Sequence, residues 1–233
     1  MGSYLNPGSK GFRESLNSEI YIDKTALIEK TNAVVDTRQK FLCVSRPRRF
    51  GKSMAADMLA AYYGREEDCG KLFDGLAASR MPSFEKHRNQ YDVVKVNMQE
   101  FLSVTHSVDE MLSMFCEYLM FELREHFPKV HFRDQNNLIQ MMKDIFSSTK
   151  HSFVILIDEW DCLFREYQKD GAAQKQYLDF LRVWLKDQEY IALAYMTGIL
   201  PVKKYGVHSA LNMFSEYSMT DQYALEEYTG FTE

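Results

Sequence analysis

The chain has 233 residues, 45% of them hydrophobic and 14% aromatic, with a formal net charge of −5. That length and apolar content suit one large α/β domain, or a domain carrying a helical insert, and exclude wholesale disorder. The acidic balance argues against a nucleic-acid footprint, and the longest apolar run, FVILI at 153–157, is far too short to span a bilayer.

The N-terminus is polar and shows no apolar run before a small-residue cleavage site, so no signal peptide is read there. A cytoplasmic chain without a membrane partner is expected. Within the first forty residues, Ile22, Ala26, Leu27 and Ile28 form an apolar stripe at helical spacing, with Asp23 placed as an N-cap. KFLCVS (40–45) reads as a buried strand. The loop RPRRFG (46–51) follows, then KSMAADMLAAYY, a strong helix ending at Gly64. Residues 65–90 read as a polar connector with a small helix. A second strand is expected at 91–98, a long amphipathic helix at 108–127 and another at about 136–146. SFVILIDEWD is a continuous apolar run of the kind buried on both faces of a parallel sheet. QKQYLDFLRVWLKD then predicts a helix, YIALAYMTGIL a fourth strand, and residues 214–219 a short closing strand. Alternating β and α elements imply a parallel sheet covered by helices on both faces.

Cys43, Cys69, Cys116 and Cys162 are scattered without a CxxC pair and read as reduced, packed thiols. The six histidines show no zinc-type spacing. One dense basic cluster stands out, Arg46, Arg48, Arg49 and Lys52 around Gly51. Backbone amides of a loop opening onto a helix N-terminus bind phosphate through hydrogen bonds and the helix dipole. Strand, glycine loop, Lys52 and helix in that order make residues 46–54 (Arg46, Pro47, Arg48, Arg49, Phe50, Gly51, Lys52, Ser53 and Met54) the candidate nucleotide site. Lys52 would reach the phosphates and Ser53 would coordinate Mg²⁺. The glycine expected five positions before Gly51 is Arg46, which leaves three readings: a working site, a decayed one, or a basic patch for nucleic acid.

The run VILIDEWD places Asp158 at the end of an apolar strand, where α/β folds bind ligands. Asp158 would hold Mg²⁺ and Glu159 would activate the attacking water. Thr197, at the tip of the following strand, either senses the γ-phosphate or water or simply starts a turn before Gly198. Asp161 is read as positioning a loop or capping a helix.

Four separated segments, YIDKT, RPRRFGKS, LIDEWD and YMTGILPVKKYGVHSALNMFSEYSM, closely resemble the bacterial AAA-ATPase-like family, from about Gly11 to the C-terminus. The resemblance implies a P-loop NTPase fold, three-layer α/β/α, with an additional strand between the loop strand and the Asp-Glu strand. It implies that the arginine-rich loop is the usual form and not a decayed one. By it, Lys52 and Ser53 match phosphate and Mg²⁺ binding, while Asp158 and Glu159 match metal binding and water activation; Trp160 stands where the family often has tyrosine. The expected organisation is an N-terminal segment (1–39) packed on a P-loop ATPase domain (40–233) with a helical insert at roughly 64–150.

The implied activity is Mg²⁺-dependent ATP binding and hydrolysis, with Lys52, Glu159 and Thr197 catalytic and ATP and Mg²⁺ as cofactors. Family members commonly continue into a nuclease-like domain. Glu226 and Glu227 lack the partner lysine of such a site, so that effector domain is expected to be absent here, and nucleic acid to be met only through it. No arginine outside the loop is clearly placed to stabilise the transferring phosphoryl group. Hydrolysis is therefore expected to be slow in the isolated chain, with self-association or a protein partner needed for full rate. A nucleotide-gated switch with negligible hydrolysis is the main alternative; a small-molecule kinase and an arginine-based nucleic-acid binder are weaker ones. The roles of Tyr21, Asp23, Lys203, Lys204 and His208 stay open: YIDKT either packs on the nucleotide base or docks on the core.

Overall fold

Period-two alternation along the strands divides the interior into two layers. In the strand Phe153–Asp158, Phe153, Ile155 and Ile157 face one apolar cluster, while Val154 and Leu156 face the other. Both faces are buried, which is why the sequence reads as unbroken apolar residues. The computed structural model describes residues 2–202 and 211–218, so Lys203, Lys204, His208, Glu226 and Glu227 lie outside the described residues, as does position 219 of the expected closing strand.

Helices α1 (Lys10–Leu16) and α2 (Leu27–Asn32) precede strand β1 (Phe41–Ser45), which leads through the basic loop into α3 (Lys52–Tyr63). Two 3₁₀ turns, Gly70–Phe73 and Ala77–Arg80, and the short α4 (Phe84–His87) fill the polar connector before β2 (Asp92–Asn97). Helices α5 (Met98–Leu102), α6 (Val108–His126) and α7 (Leu138–Thr149) then return the chain to β3 (Phe153–Asp158). The one-turn α8 (Cys162–Glu166), α9 (Gly171–Leu185), β4 (Ile191–Gly198) and β5 (Ser215–Tyr217) complete the described elements.

The five strands are all parallel, in the order β2-β3-β4-β1-β5. The strand following the Asp-Glu strand thus lies between it and the loop strand, as the resemblance implied. A register shift between Phe153 and Val154 lets Ala192 and Leu193 face the same layer, so strict alternation in β4 is broken there. The N-terminal helices pack on the α3 side, where the ring of Phe12 stacks on Phe73 at 5.0 Å. Helices α5 to α9 cover the opposite face, with Phe115 against Trp184 at 5.2 Å.

Two expectations for the first forty residues shift. The helix begins at Leu27, later than the stripe suggested, and Ile22 is 45% exposed. Asp23 instead accepts from the Thr25 amide (2.9 Å) and hydroxyl (2.7 Å), and its other oxygen accepts from the Ala77 amide (2.7 Å). Thr25 in turn accepts from the Ala78 amide at 3.0 Å, so YIDKT is latched to the second 3₁₀ turn. At the open side of β2, Leu5 bridges Val94 antiparallel, the Asn6 amide donates to the Val93 carbonyl (2.7 Å), and the Asn6 side chain binds both Asp92 and the Val93 amide. The N-terminal segment thereby covers an edge that would otherwise offer unpaired amides. Among the described residues, no helix is long and apolar enough to cross a membrane.

The turn between α6 and α7 is tied by Asp144, which is buried and accepts from the Arg133 amide (2.8 Å), the Arg133 Nε (2.7 Å) and the Gln140 amide (2.8 Å). Burial alone would raise its carboxyl; the Arg133 amide and guanidinium and Gln140 outweigh that and hold it below the usual carboxylate range. The stability it contributes is complete above the pH at which an unfolded aspartate ionises and is lost as pH falls through the depressed folded value. Asp144→Asn is expected to lower stability at neutral pH by about 1–3 kcal/mol. It should also flatten the loss of stability below about pH 4, as measured by denaturant titration across pH.

Candidate active site

The loop, the Asp-Glu turn and the tip of β4 meet at one edge of the sheet because parallel strands all end there. Ser45 of β1 pairs with Gly198 of β4, and Ile157 of β3 pairs with Met196, which sets Asp158 beside Thr197. Backbone bonds join the three exits: the Arg46 amide donates to the Gly198 carbonyl (3.0 Å) and the Trp160 amide to the Thr197 carbonyl (3.1 Å).

Asp158 is 3% exposed, and its oxygens are taken by protein donors. One accepts from the Ser53 hydroxyl; the other accepts from the Thr197 hydroxyl and from the Glu159 amide at 2.9 Å. Donors from α3, β4 and the turn after β3 thus converge on one carboxylate. Ser53 hydroxyl and Asp158 carboxylate are hard oxygen donors in direct contact, a set that suits a divalent cation such as Mg²⁺.

The loop wraps its own lysine. Lys52 is buried, and its Nζ donates to the Pro47 carbonyl at 3.0 Å. Gly51 caps α3 with φ of 73°, a left-handed value that glycine adopts without the Cβ penalty. Arg49 also has positive φ, at 69°, a conformation costing an ordinary residue roughly 1–2 kcal/mol. Pro47, Arg48 and Arg49 are exposed, Phe50 and Gly51 half-buried, and Met54 is 40% exposed.

Arg46 differs from the other loop arginines. It is buried, and its Nη1 donates to the carbonyls of Ser45 (3.0 Å) and Tyr217 (3.1 Å), joining the end of β1 to β5. This arginine therefore stands as a tie across the sheet where a phosphate-binding loop usually has glycine.

Glu159 also adopts positive φ, at 51°, fixed by its own amide on Asp158 and by the next amide on Thr197. Its carboxylate accepts from the Nη2 of Arg165 on α8, an atom that also donates to Gln99 Oε1 at 3.3 Å. Neither Arg165 nor Gln99 was singled out in the sequence. The available signal was Arg165 standing one helical turn after Asp161 and six residues after Glu159. Asp161 is fully buried and accepts from the amides of Ile199 (3.0 Å) and Leu200 (2.8 Å), fixing the turn after β4. Trp160 is buried beneath, its carbonyl accepting from Tyr177 at 2.8 Å. A Cβ on Gly198 would lie 2.7 Å from Trp160 Nε1, so the two turns pack in close contact.

A parallel sheet with the glycine-lysine-serine loop after its first strand, an acidic strand end, and a strand between the two is the architecture of a P-loop NTPase. Within that class, residues 8–208 match the family described as predicted AAA-ATPase, AAA-ATPase-like, and the chain belongs to that family. No curated protein matches it.

The two kinds of loop arginine should respond differently to truncation. Arg46→Ala removes buried charge-assisted hydrogen bonds and is expected to destabilise the fold by about 1–3 kcal/mol. Arg48→Ala, at an exposed position, should change stability by no more than about 0.5 kcal/mol. Thermal unfolding of the two variants beside wild type checks the contrast.

Proposed function

We propose that the chain binds Mg²⁺-ATP at residues 46–54 and hydrolyses it. The observation that carries this reading is the convergence of Ser53, Thr197 and Glu159 on the buried carboxylate of Asp158. In this reading the loop amides and the N-terminus of α3 receive the phosphates, and the Lys52 ammonium exchanges the Pro47 carbonyl for phosphate oxygens. Ser53 and Asp158 would hold Mg²⁺, which when bound would supply positive charge to offset that developing on the phosphates. Glu159 accepts a proton from water as the water oxygen bonds to the γ-phosphorus and the bond to the ADP oxygen breaks. The Thr197 hydroxyl, already at the strand tip, orients that water or the γ-phosphate.

A second reading, a nucleotide-gated switch with very slow turnover, draws support from the engagement of Glu159 by Arg165. In both readings nucleotide state gates a partner subunit or effector domain.

Phosphate release and nucleotide binding, each measured with and without Mg²⁺, test the proposal. Lys52→Ala is expected to weaken Mg²⁺-ATP binding about tenfold or more through lost charge-assisted bonds. Glu159→Gln should retain binding while turnover falls by roughly 10²–10⁴. Asp158→Asn should weaken the Mg²⁺-dependent part of binding. Wild-type affinity in Lys52→Ala places the nucleotide elsewhere, and unchanged turnover in Glu159→Gln removes it as the base. Tight Mg²⁺-ATP binding by wild type with negligible steady-state phosphate release selects the switch.

A further inference from the structure

Arg165 stands between two carboxylates. Its Nη2 holds Glu159, and its Nε lies 3.6 Å from Asp161 Oδ2, one helical turn back along α8. Among the described residues that Nε makes no hydrogen bond, and neither does Asp161 Oδ1, although both atoms are buried. A guanidinium carries five donors in a fixed fork, and here the buried Nε donor is left without a hydrogen bond beside the Asp161 carboxylate. Buried polar atoms without partners are costly. A modest turn of Arg165 away from Glu159 would bring its Nε from 3.6 Å into hydrogen-bonding distance of the Asp161 carboxylate.

The position on Glu159 is itself supported. Gln99 Oε1 accepts from the same Nη2, and the orientation of that amide is set by its Nε2 donating to Glu166 at 2.6 Å. The side chains of Arg165 and Glu159 are only 19% and 22% exposed, so solvent screens their attraction less than at an open surface. A base whose oxygen is held by a guanidinium is less available to water, whereas the hydroxyls on Asp158 are neutral donors that yield to a cation.

We propose that Arg165 is a two-position latch, holding Glu159 in the state described and releasing it by moving onto Asp161. The inference rests on Glu159 being the base of the proposed ATPase. Asp161 also holds the amides of Ile199 and Leu200, so the released position of Arg165 falls on the group that fixes the turn after Thr197. Freeing the base is thereby tied to the strand tip that meets the γ-phosphate. Arg165 acts through Glu159 and is a positioning residue.

The test compares wild type, Arg165→Met, Arg165→Lys, Glu159→Gln and the Arg165→Met/Glu159→Gln double variant in the full chain, measuring Mg²⁺-ATP binding and phosphate release separately. Arg165→Met is expected to bind ATP within about twofold of wild type and to turn over faster, on the order of tenfold, as one charge-assisted bond is lost. Arg165→Lys, which keeps the charge without the fork, should fall between the two. The double variant should be as slow as Glu159→Gln alone, because the gain passes through the base. A merely structural role would lower turnover and thermal stability together and would not produce a gain that Glu159→Gln abolishes. If Arg165→Met does not fold, the Lys variant carries the test alone. Turnover at or below wild type with binding intact, or a gain that persists in the double variant, overturns the latch while leaving the ATPase reading in place. Absence of ATP binding by wild type overturns both.

Discussion

The site depends on one buried charge. Asp158 sits at the end of a strand covered on both faces, where an ionised carboxylate is tolerated only if its oxygens are satisfied. Ser53 from α3, Thr197 from β4 and the Glu159 amide supply those bonds. Each donor lies on a different element, so satisfying Asp158 also sets the helix after the loop, the middle strand and the acidic turn against one another. The constraint that stabilises the edge is thus the one that brings the candidate site residues together. A cation entering beside Asp158 would replace a hydroxyl donor without leaving the carboxylate bare.

Around that centre the charged residues differ in how firmly they are held. Arg46 and Asp161 are buried and bind backbone groups, the first tying β1 to β5 and the second fixing the turn after β4. Lys52 and Glu159 are held in place by single side-chain contacts, with the Pro47 carbonyl and with Arg165, that a ligand or a small movement would exchange. Positive φ at Arg49 and Glu159 places backbone strain in the loop and in the acidic turn, and such strain persists where surrounding bonds over-determine it.

Much of the architecture was legible. FLCVS and FVILID announce buried strands through unbroken apolar runs, and α6 and α9 through Met111, Phe115 and Leu119 or Leu178, Leu181 and Leu185 at helical spacing. The short elements were harder. Helix α1 has few apolar residues, and α8 follows the acidic turn with only five residues, too few for a period to show. The antiparallel bridge of Leu5 to Val94 is a long-range pairing with no local signature. Within the site, Ser53, Asp158 and Thr197 carry their spacing in the motifs, and the structure brings them together. Arg165 and Gln99 do not, because their role arises from where α5 and α8 cross near Glu159, and no sequence spacing encodes that approach. Likewise, the sequence marks Arg46 only as replacing a glycine, and its inward turn, unlike exposed Arg48 and Arg49, comes from carbonyls at the ends of β1 and β5.

The central claim is that nucleotide is held by the loop between β1 and α3 against the Asp158 carboxylate. Hydrogen–deuterium exchange of the full chain, with ATP, with Mg²⁺ and with both, tests it at the level of individual segments. Mg²⁺ and ATP together are expected to slow exchange most strongly in residues 46–54, with smaller protection at 158–161 and 197–200. Protection elsewhere with the loop unchanged, or loop protection by ATP that Mg²⁺ does not strengthen, would contradict it.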